Sequence, residues 1–160
     1  MNGLSRIGVA LLCAGAAIPQ QAVAKSVSPS TAWNGTWRLN VGLSKFSAPA
    51  PRWETRTVSI SHNRMVTRSR GVTAGGKAIH FSYGVSLDGK FHPLVGNPDG
   101  DSISMHLITP ETVAIEVQRN HRTAATATTT VGARRLVMKR HRLPLSGSPS
   151  VDMLVYDRVR

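Results

Sequence analysis

The sequence predicts an all-β protein: a single antiparallel up-and-down β-barrel or curled meander of about eight or nine strands. Three observations predict it. Apolar residues alternate with polar or small ones along short runs, most plainly at Ile79, Phe81, Tyr83, Val85 and Leu87, with His80, Ser82, Gly84 and Ser86 between them. A period of two is the mark of a half-buried strand. Turn-forming groups recur at short intervals, among them Asp88-Gly89 and Asn97-Pro98-Asp99-Gly100, where Gly accepts positive φ and Asp or Asn tolerates it. No helical stretch and no alternation of strand with helix stands out. Closure is expected because an open sheet of this length would leave two edges unpaired.

The first 24 residues read as a Sec-type signal peptide. Arg6 makes the start weakly positive, Ile7 to Ile18 is a short apolar run, and Ala22-Val23-Ala24 is a small-x-small cleavage site. The run is too short and too rich in Ala and Gly to be a good membrane anchor. Leu12 stands where a lipobox needs a small residue, so Cys13 is not read as a lipidation site. Cleavage after Ala24 removes the only cysteine and leaves 136 of the 160 residues. That chain has no disulfide, no thiol chemistry and no Cys-based zinc site. It has no further apolar run of membrane-spanning length. The predicted location is the periplasm or the exterior. Residues 25–33, rich in Ser and Thr, are expected to be a flexible leader to one domain, 34–160.

Without Arg6 there are 19 Lys and Arg against 8 Asp and Glu. Such a charge keeps a protein soluble and favours anionic partners. It is equally what solvated strand faces would give.

The strands follow in order. Trp33–Asn40 is the first. Val41–Arg52, with Gly42, Pro49 and Pro51, is an irregular loop pinned by Phe46. Thr55–Ser61 and Met65–Val72 form a hairpin turning at His62-Asn63-Arg64. Val58 and Ile60 supply the inner face of its first strand. In its second strand Val66 and Val72 share a face with Arg68 and Arg70, which predicts an edge position or a bulge. Ala74-Gly75-Gly76 turns into the strand of Ile79–Leu87, and Asp88-Gly89 turns the chain again. Ile103, Met105 and Leu107 resume the alternation. Thr109-Pro110-Glu111 leads to Val113, Ile115 and Val117. Arg119-Asn120-His121 leads to an Ala/Thr strand, Thr123–Val131. Gly132 leads to Arg134–Arg142, with Leu136 and Met138 on one face, and a Pro/Gly/Ser loop precedes Val151–Val159.

Gly35-Thr36-Trp37 resembles the Gly-x-Trp opening of lipocalin-like barrels. The resemblance implies that Trp37 closes the base of a barrel, with Arg158 as its partner from near the end. A fuller resemblance is to a group of small exported bacterial proteins of unassigned function. It rests on Gly35–Asn40, Ser44-Lys45-Phe46, Pro49 and Pro51, the Asp-Gly-Lys-x-x-Pro-x-x-Gly-x-Pro-x-x-Asp pattern of Asp88–Asp101, and Val155-Tyr156-Asp157. It covers nearly the whole chain after residue 24 and implies an exported lipocalin-like domain. It brings no catalytic residues. Gly35, Trp37, Asp88, Gly89, Asn97, Pro98 and Asp99 are structural in this reading.

No catalytic constellation stands out. Asp88, Asp99 and Asp101 are explained by turn formation. Asn97-x-Asp99-x-Asp101 has the spacing of a calcium loop without its later glutamate, so no metal and no cofactor are expected. His80 and His106 point outward from the apolar faces of their strands, and would meet only if those strands were neighbours. Two binding readings remain. Phe81, Tyr83, Ala125 and Ala127 are candidates to line a cavity for a small apolar or amphipathic ligand. Thr123, Ala125, Ala127 and Thr129, if inward, either leave that cavity open or permit close packing. Alternatively Arg119, His121, Arg122, Lys139, Arg140, His141 and Arg142 form a basic rim for an anionic envelope component. The absence of nearby aromatic residues argues against nucleic acid there.

Overall fold

The computed structural model describes residues 27–160 apart from 96, 98 and 145. The expected signal peptide, Cys13 and Pro98 lie outside the described residues. Ten strands form one antiparallel sheet: β1 (Gly35–Leu39), β2 (Trp53–Ser61), β3 (Arg64–Val72), β4 (Ala78–Ser86), β5 (Asp88–Pro93), β6 (Ser102–Thr109), β7 (Thr112–Arg119), β8 (Arg122–Val131), β9 (Arg135–Arg142) and β10 (Ser150–Arg158). The ladder runs β4-β3-β2-β1-β10-β9-β8-β7-β6-β5. Each strand pairs with its sequence neighbour except that β1 pairs with β10, while β4 and β5, joined by Leu87 alone, form the two ends of the ladder. The sheet is therefore a nearly closed barrel with one seam.

That seam corrects two expectations. The strand count among the described residues is ten, not eight or nine, and Asp88-Gly89 does not fold the chain back on itself. Instead the chain crosses the seam at Leu87, whose N–H donates to the Asn63 carbonyl at 2.8 Å. Gly89, at φ +73°, sits in a register shift of β5 against β6. The turn signal marks a bulge, which has the same need for positive φ as a turn. Asp88 serves the bulge by accepting from Lys90 N–H at 2.9 Å.

The hairpin of β2 and β3 turns where expected, with His62 and Asn63 both at positive φ. The edge or bulge expected for its second strand is not there. β3 pairs along its length with β2 and with β4, in unbroken register. Its inner face is Met65, Thr67, Ser69 and Gly71, all buried. Val66, Arg68, Arg70 and Val72 all face out. The sequence pattern misleads because the inward side chains are partly polar and two outward ones are valines.

The barrel has a base and a mouth. The base holds the turns β2–β3, β6–β7 and β8–β9. It is filled by Trp33 and Trp37, 1 % and 0 % exposed, with Val58, Met65, Met105, Val113 and Leu136. The ordered body begins before residue 34, because Thr31–Trp33 is a 3-10 turn docked under the barrel. Ser30 N–H and Trp33 Nε1 both donate to the Pro110 carbonyl, at 2.8 and 3.0 Å. Trp37 Nε1 donates to the Trp33 carbonyl at 3.3 Å. The Arg158 guanidinium lies 4.1 Å from the centroid of the Trp37 ring, as the Gly-x-Trp resemblance implies. It also donates to the carbonyls of Ala32, Asn34 and Ala133. Gly35 is required there: a Cβ would run into the Arg158 guanidinium. No helix among the described residues is long and apolar enough to cross a membrane.

Candidate functional site: the mouth of the barrel

Along β2, β9 and β10 the inner face keeps its parity from base to mouth, but its chemistry changes on the way. β2 places Val58 inward near the base, then Arg56 and Glu54. β9 places Leu136 and Met138 inward, then Arg140 and Arg142. β10 places Tyr156 and Leu154 inward, then Asp152. Charged groups thereby converge inside the mouth from three strands. Glu54, Arg56 and Asp152 are buried.

They form two ion-paired clusters. Arg56 Nε donates to Glu54 Oε1 at 2.7 Å, and the Tyr156 hydroxyl donates to Glu54 Oε2 at 3.4 Å. The Arg56 guanidinium also lies 4.9 Å from the Tyr156 ring centroid and 5.8 Å from that of Phe81, within cation–π range. Burial alone would raise the Glu54 carboxyl. The Arg56 charge and the hydrogen bonds from Arg56 and Tyr156 outweigh it and hold Glu54 below its usual value. Burial likewise favours neutral Arg56, but the Glu54 carboxylate, paired with it at 2.7 Å, holds the guanidinium charged. Burial pushes the Tyr156 phenol up.

In the second cluster Asp152 is shared by two arginines and a loop. Its Oδ2 accepts from Arg140 Nη2 at 2.8 Å and stands 3.6 Å from Arg142 Nε. Its Oδ1 accepts the Ser47 N–H at 2.8 Å and the Ser47 hydroxyl at 2.7 Å. Burial opposes ionisation, but the two Ser47 bonds and Arg140 prevail and bring Asp152 down to about 2. Arg142 Nε is buried without a hydrogen-bond acceptor, because Asp152 is already taken by Ser47 and Arg140. Arg140 Nη1 also stands 3.7 Å from Asp99 Oδ2 on the β5–β6 loop.

Above these clusters is a cavity of about 500 Å³. One wall is the segment after β1: Lys45 bridges Met153, Phe46 packs on the core, and Pro49 and Pro51 line the space. The opposite wall is the β3–β4 turn, at Thr73 and Ala74, with Ala78–Phe81 of β4. Glu54, Arg56, Asp99, Arg140, Arg142, Asp152 and Leu154 complete it. A smaller cavity of about 60 Å³ lies deeper, lined by Phe81, Tyr83, Leu94, Ile103, Ile115, Val117, Ala125, Ala127 and Met138, and by Arg56 and Arg140 at its upper side. The barrel is thus hollow toward the mouth and filled at the base.

The four cavity candidates, Phe81, Tyr83, Ala125 and Ala127, all line this deeper space. The Phe81 and Tyr83 rings lie parallel, their centroids 6.0 Å apart. Ala125, Ala127 and Thr129 face inward. Thr123 does not, because β8 shifts register against Val117 and Gln118, and its hydroxyl donates to the outward Glu116 at 2.7 Å.

The seven residues of the basic rim are not one cluster. Arg140 and Arg142 point into the barrel onto Asp152, while Lys139 and His141 point out from the same strand. Arg119, His121 and Arg122 lie at the β7–β8 turn. A run of consecutive charges on a strand must divide between its two faces. His80 and His106 do not meet either, since the seam and β5 separate their strands. Asn97, Asp99 and Asp101 organise the β5–β6 loop: Asn97 Oδ1 accepts Asp99 N–H at 2.8 Å, and Asp101 Oδ2 accepts Asn120 N–H at 2.7 Å.

Glu54, Arg56 and Asp152 were not expected at the site. Extending the inner faces of Val58 and Ile60, and of Leu154 and Tyr156, by the same period of two would have found them.

The known proteins sharing this geometry are barrels. No protein-family description matches the sequence, and no curated protein does. Among solved structures, zebrafish ileal bile acid-binding protein complexed with cholic acid matches with a TM-score of 0.56 at 12 % identity, over 81 % of this chain and 100 % of that one. Lobster apocrustacyanin A1 matches with a TM-score of 0.40 at 13 % identity, over 80 % of this chain and 61 % of that one. The siderocalin Ex-FABP matches with a TM-score of 0.38 at 11 % identity, over 81 % and 75 %. The fold is lipocalin-like. At these identities the first match speaks for the fold alone.

Proposed function

We propose that this chain is an exported, non-catalytic barrel that binds one small amphipathic ligand through its mouth. The observation that carries the reading is the cavity of about 500 Å³ between the 45–51 segment and β4, inside the range of roughly 300–1,000 Å³ common for small-molecule sites. Phe81 is common to this cavity and to the smaller one that Tyr83, Ala125 and Ala127 also line, and the larger cavity carries Arg56, Arg140 and Arg142. The apolar end of the ligand goes down against the stacked rings, and its polar end stays among the arginines. The bile acid-binding neighbour holds cholic acid, which is an amphipath with a charged end, and this supports the same class here. The interior carboxylates argue for binding rather than chemistry. Glu54 is committed to Arg56 and Tyr156, and Asp152 to Ser47 and Arg140. Residues 1–24 are the export signal in this reading, removed after Ala24.

Native mass spectrometry of the protein gently purified from its own host tests the reading. The expected spectrum shows a chain lacking 24 residues, with a reproducible extra mass that leaves on denaturation. A bare mass, together with no displacement of a fluorescent amphipath by bile acids or fatty acids, would overturn it.

A further inference from the structure

The outer face of β1–β4 is charged in one sense only. In these four strands the single acidic residue is Glu54, which points into the barrel. Arg38, Arg64, Arg68 and Arg70 all point outward and are exposed. None of the four has an ion pair or a side-chain hydrogen bond. The acid nearest in register, Asp157 opposite Arg38, is already held by Arg135 at 3.2 Å and by Asn40 at 2.6 Å. Elsewhere in the described barrel, outward acids occur on β5, at Asp88, on β7, at Glu116, and on β10, at Asp157.

Register makes a compact group of these residues. Arg38 and Arg70 both lie opposite Thr55, from either side of β2, so they stand about 10 Å apart across two strand spacings. Arg68 is two residues from Arg70, about 7 Å along the strand. Trp53 is two residues from Thr55 on the same face. It is 43 % exposed, whereas Trp33 and Trp37 are buried. An exposed indole beside unpaired guanidinium groups suits the interface of an anionic bilayer. There indole rings settle at headgroup depth, and each basic residue adds attraction. Such a small cluster also suits a convex barrel, which meets a flat surface over a small area.

We infer that the outer face of β1–β3, centred on Trp53, Arg38, Arg68 and Arg70, docks on an anionic lipid surface. The inference is independent of what the cavity holds. The docking face adjoins the mouth, since Trp53 begins β2 at that end, and Thr73 of the neighbouring turn lines the cavity.

The test is flotation of the full chain, as its host processes it, with phosphatidylcholine vesicles containing or lacking phosphatidylglycerol. Each comparison is between variants of one chain, so the N-terminal segment contributes equally. Binding is expected only with the anionic lipid, is lost between about 0.1 M and about 1 M salt, and shifts Trp emission to the blue. Arg68→Gln with Arg70→Gln should lower partitioning at least about tenfold, and Trp53→Ser should abolish the emission shift. Arg122→Gln with Lys139→Gln, an equal loss of charge on the far side, should leave partitioning within about twofold. Equal losses from both pairs would overturn the inference, because net charge would then explain the binding. So would absence of binding to anionic vesicles, or tighter retention on heparin or single-stranded DNA than on vesicles at matched salt. All five substitutions are at exposed positions and leave the interior intact, and unchanged thermal unfolding confirms it.

Discussion

The base and the mouth of this barrel are made by the same strands and obey opposite chemistry. At the base, inward positions are Trp37, Val58, Met65, Val113 and Leu136 with the small Thr67 and Thr129 among them, and backbone carbonyls there are answered by Arg158 and two indoles. At the mouth, inward positions are Glu54, Arg56, Arg140, Arg142 and Asp152, and the space above them is open. Strand parity decides which side chains enter the barrel. Distance along the strand decides whether they fill it or leave a site. A base packed this way can hold the fold while the mouth carries charges that a filled core would not tolerate.

The largest effect should come from the base. Trp37→Ala removes a fully buried aromatic ring and the platform under Arg158, and should cost about 5 kcal/mol, the upper end for such a truncation. Urea unfolding measures it. A loss of ligand affinity without a loss of stability would reverse the roles assigned to the two ends. Glu54→Gln comes next: it leaves the Arg56 charge buried beside aromatic faces and the Met138 sulfur with no counter-ion, and should cost about 3 kcal/mol. A cost under about 1 kcal/mol would mean that water reaches Arg56 and that the lower mouth is wet.

Acid should weaken the mouth first. Asp152 is held at about 2 against an ordinary 3.8. A depressed carboxylate contributes stability that is fully present above its unfolded value and is lost as pH falls through its folded value. The window is therefore from about pH 4 down to about pH 2, and the shift corresponds to about 2 kcal/mol. Glu54, also held low, acts in the same direction. The urea midpoint should fall across that window in the parent chain and fall less in Asp152→Asn. Identical pH profiles would show that Asp152 does not hold the 45–51 segment. The smallest effect on stability belongs to Ala127→Leu, about 1 kcal/mol, because the added atoms enter the deeper cavity. It should nonetheless lower ligand affinity at least about tenfold. Unchanged affinity would place the ligand elsewhere.

Much of the strand pattern was legible, because alternation and turn chemistry are local. Val113, Ile115 and Val117 are a clean inner face, and Asn120-His121 turns at positive φ as its residues suggest. β5 was not legible: Asp88-Gly89 has the same backbone need in a bulge as in a turn. β3 was misread because Thr67 and Ser69 face inward while Val66 and Val72 face outward. The deeper cavity was legible in Ala125, Ala127, Phe81 and Tyr83. The basic rim was not, since four consecutive residues of one strand cannot share a face.

The sequence by itself determined most of the strands and turns, the alternation of sides along them and the excess of positive charge. These follow from backbone periodicity and from which residues tolerate positive φ. The tertiary structure alone decided where the barrel parts at β4 and β5, which residues share a level inside it, and which arginines find a carboxylate. Those depend on register between strands distant in sequence. Register brings Arg140 to Asp152, and leaves Arg38, Arg68 and Arg70 facing solvent without an acidic partner.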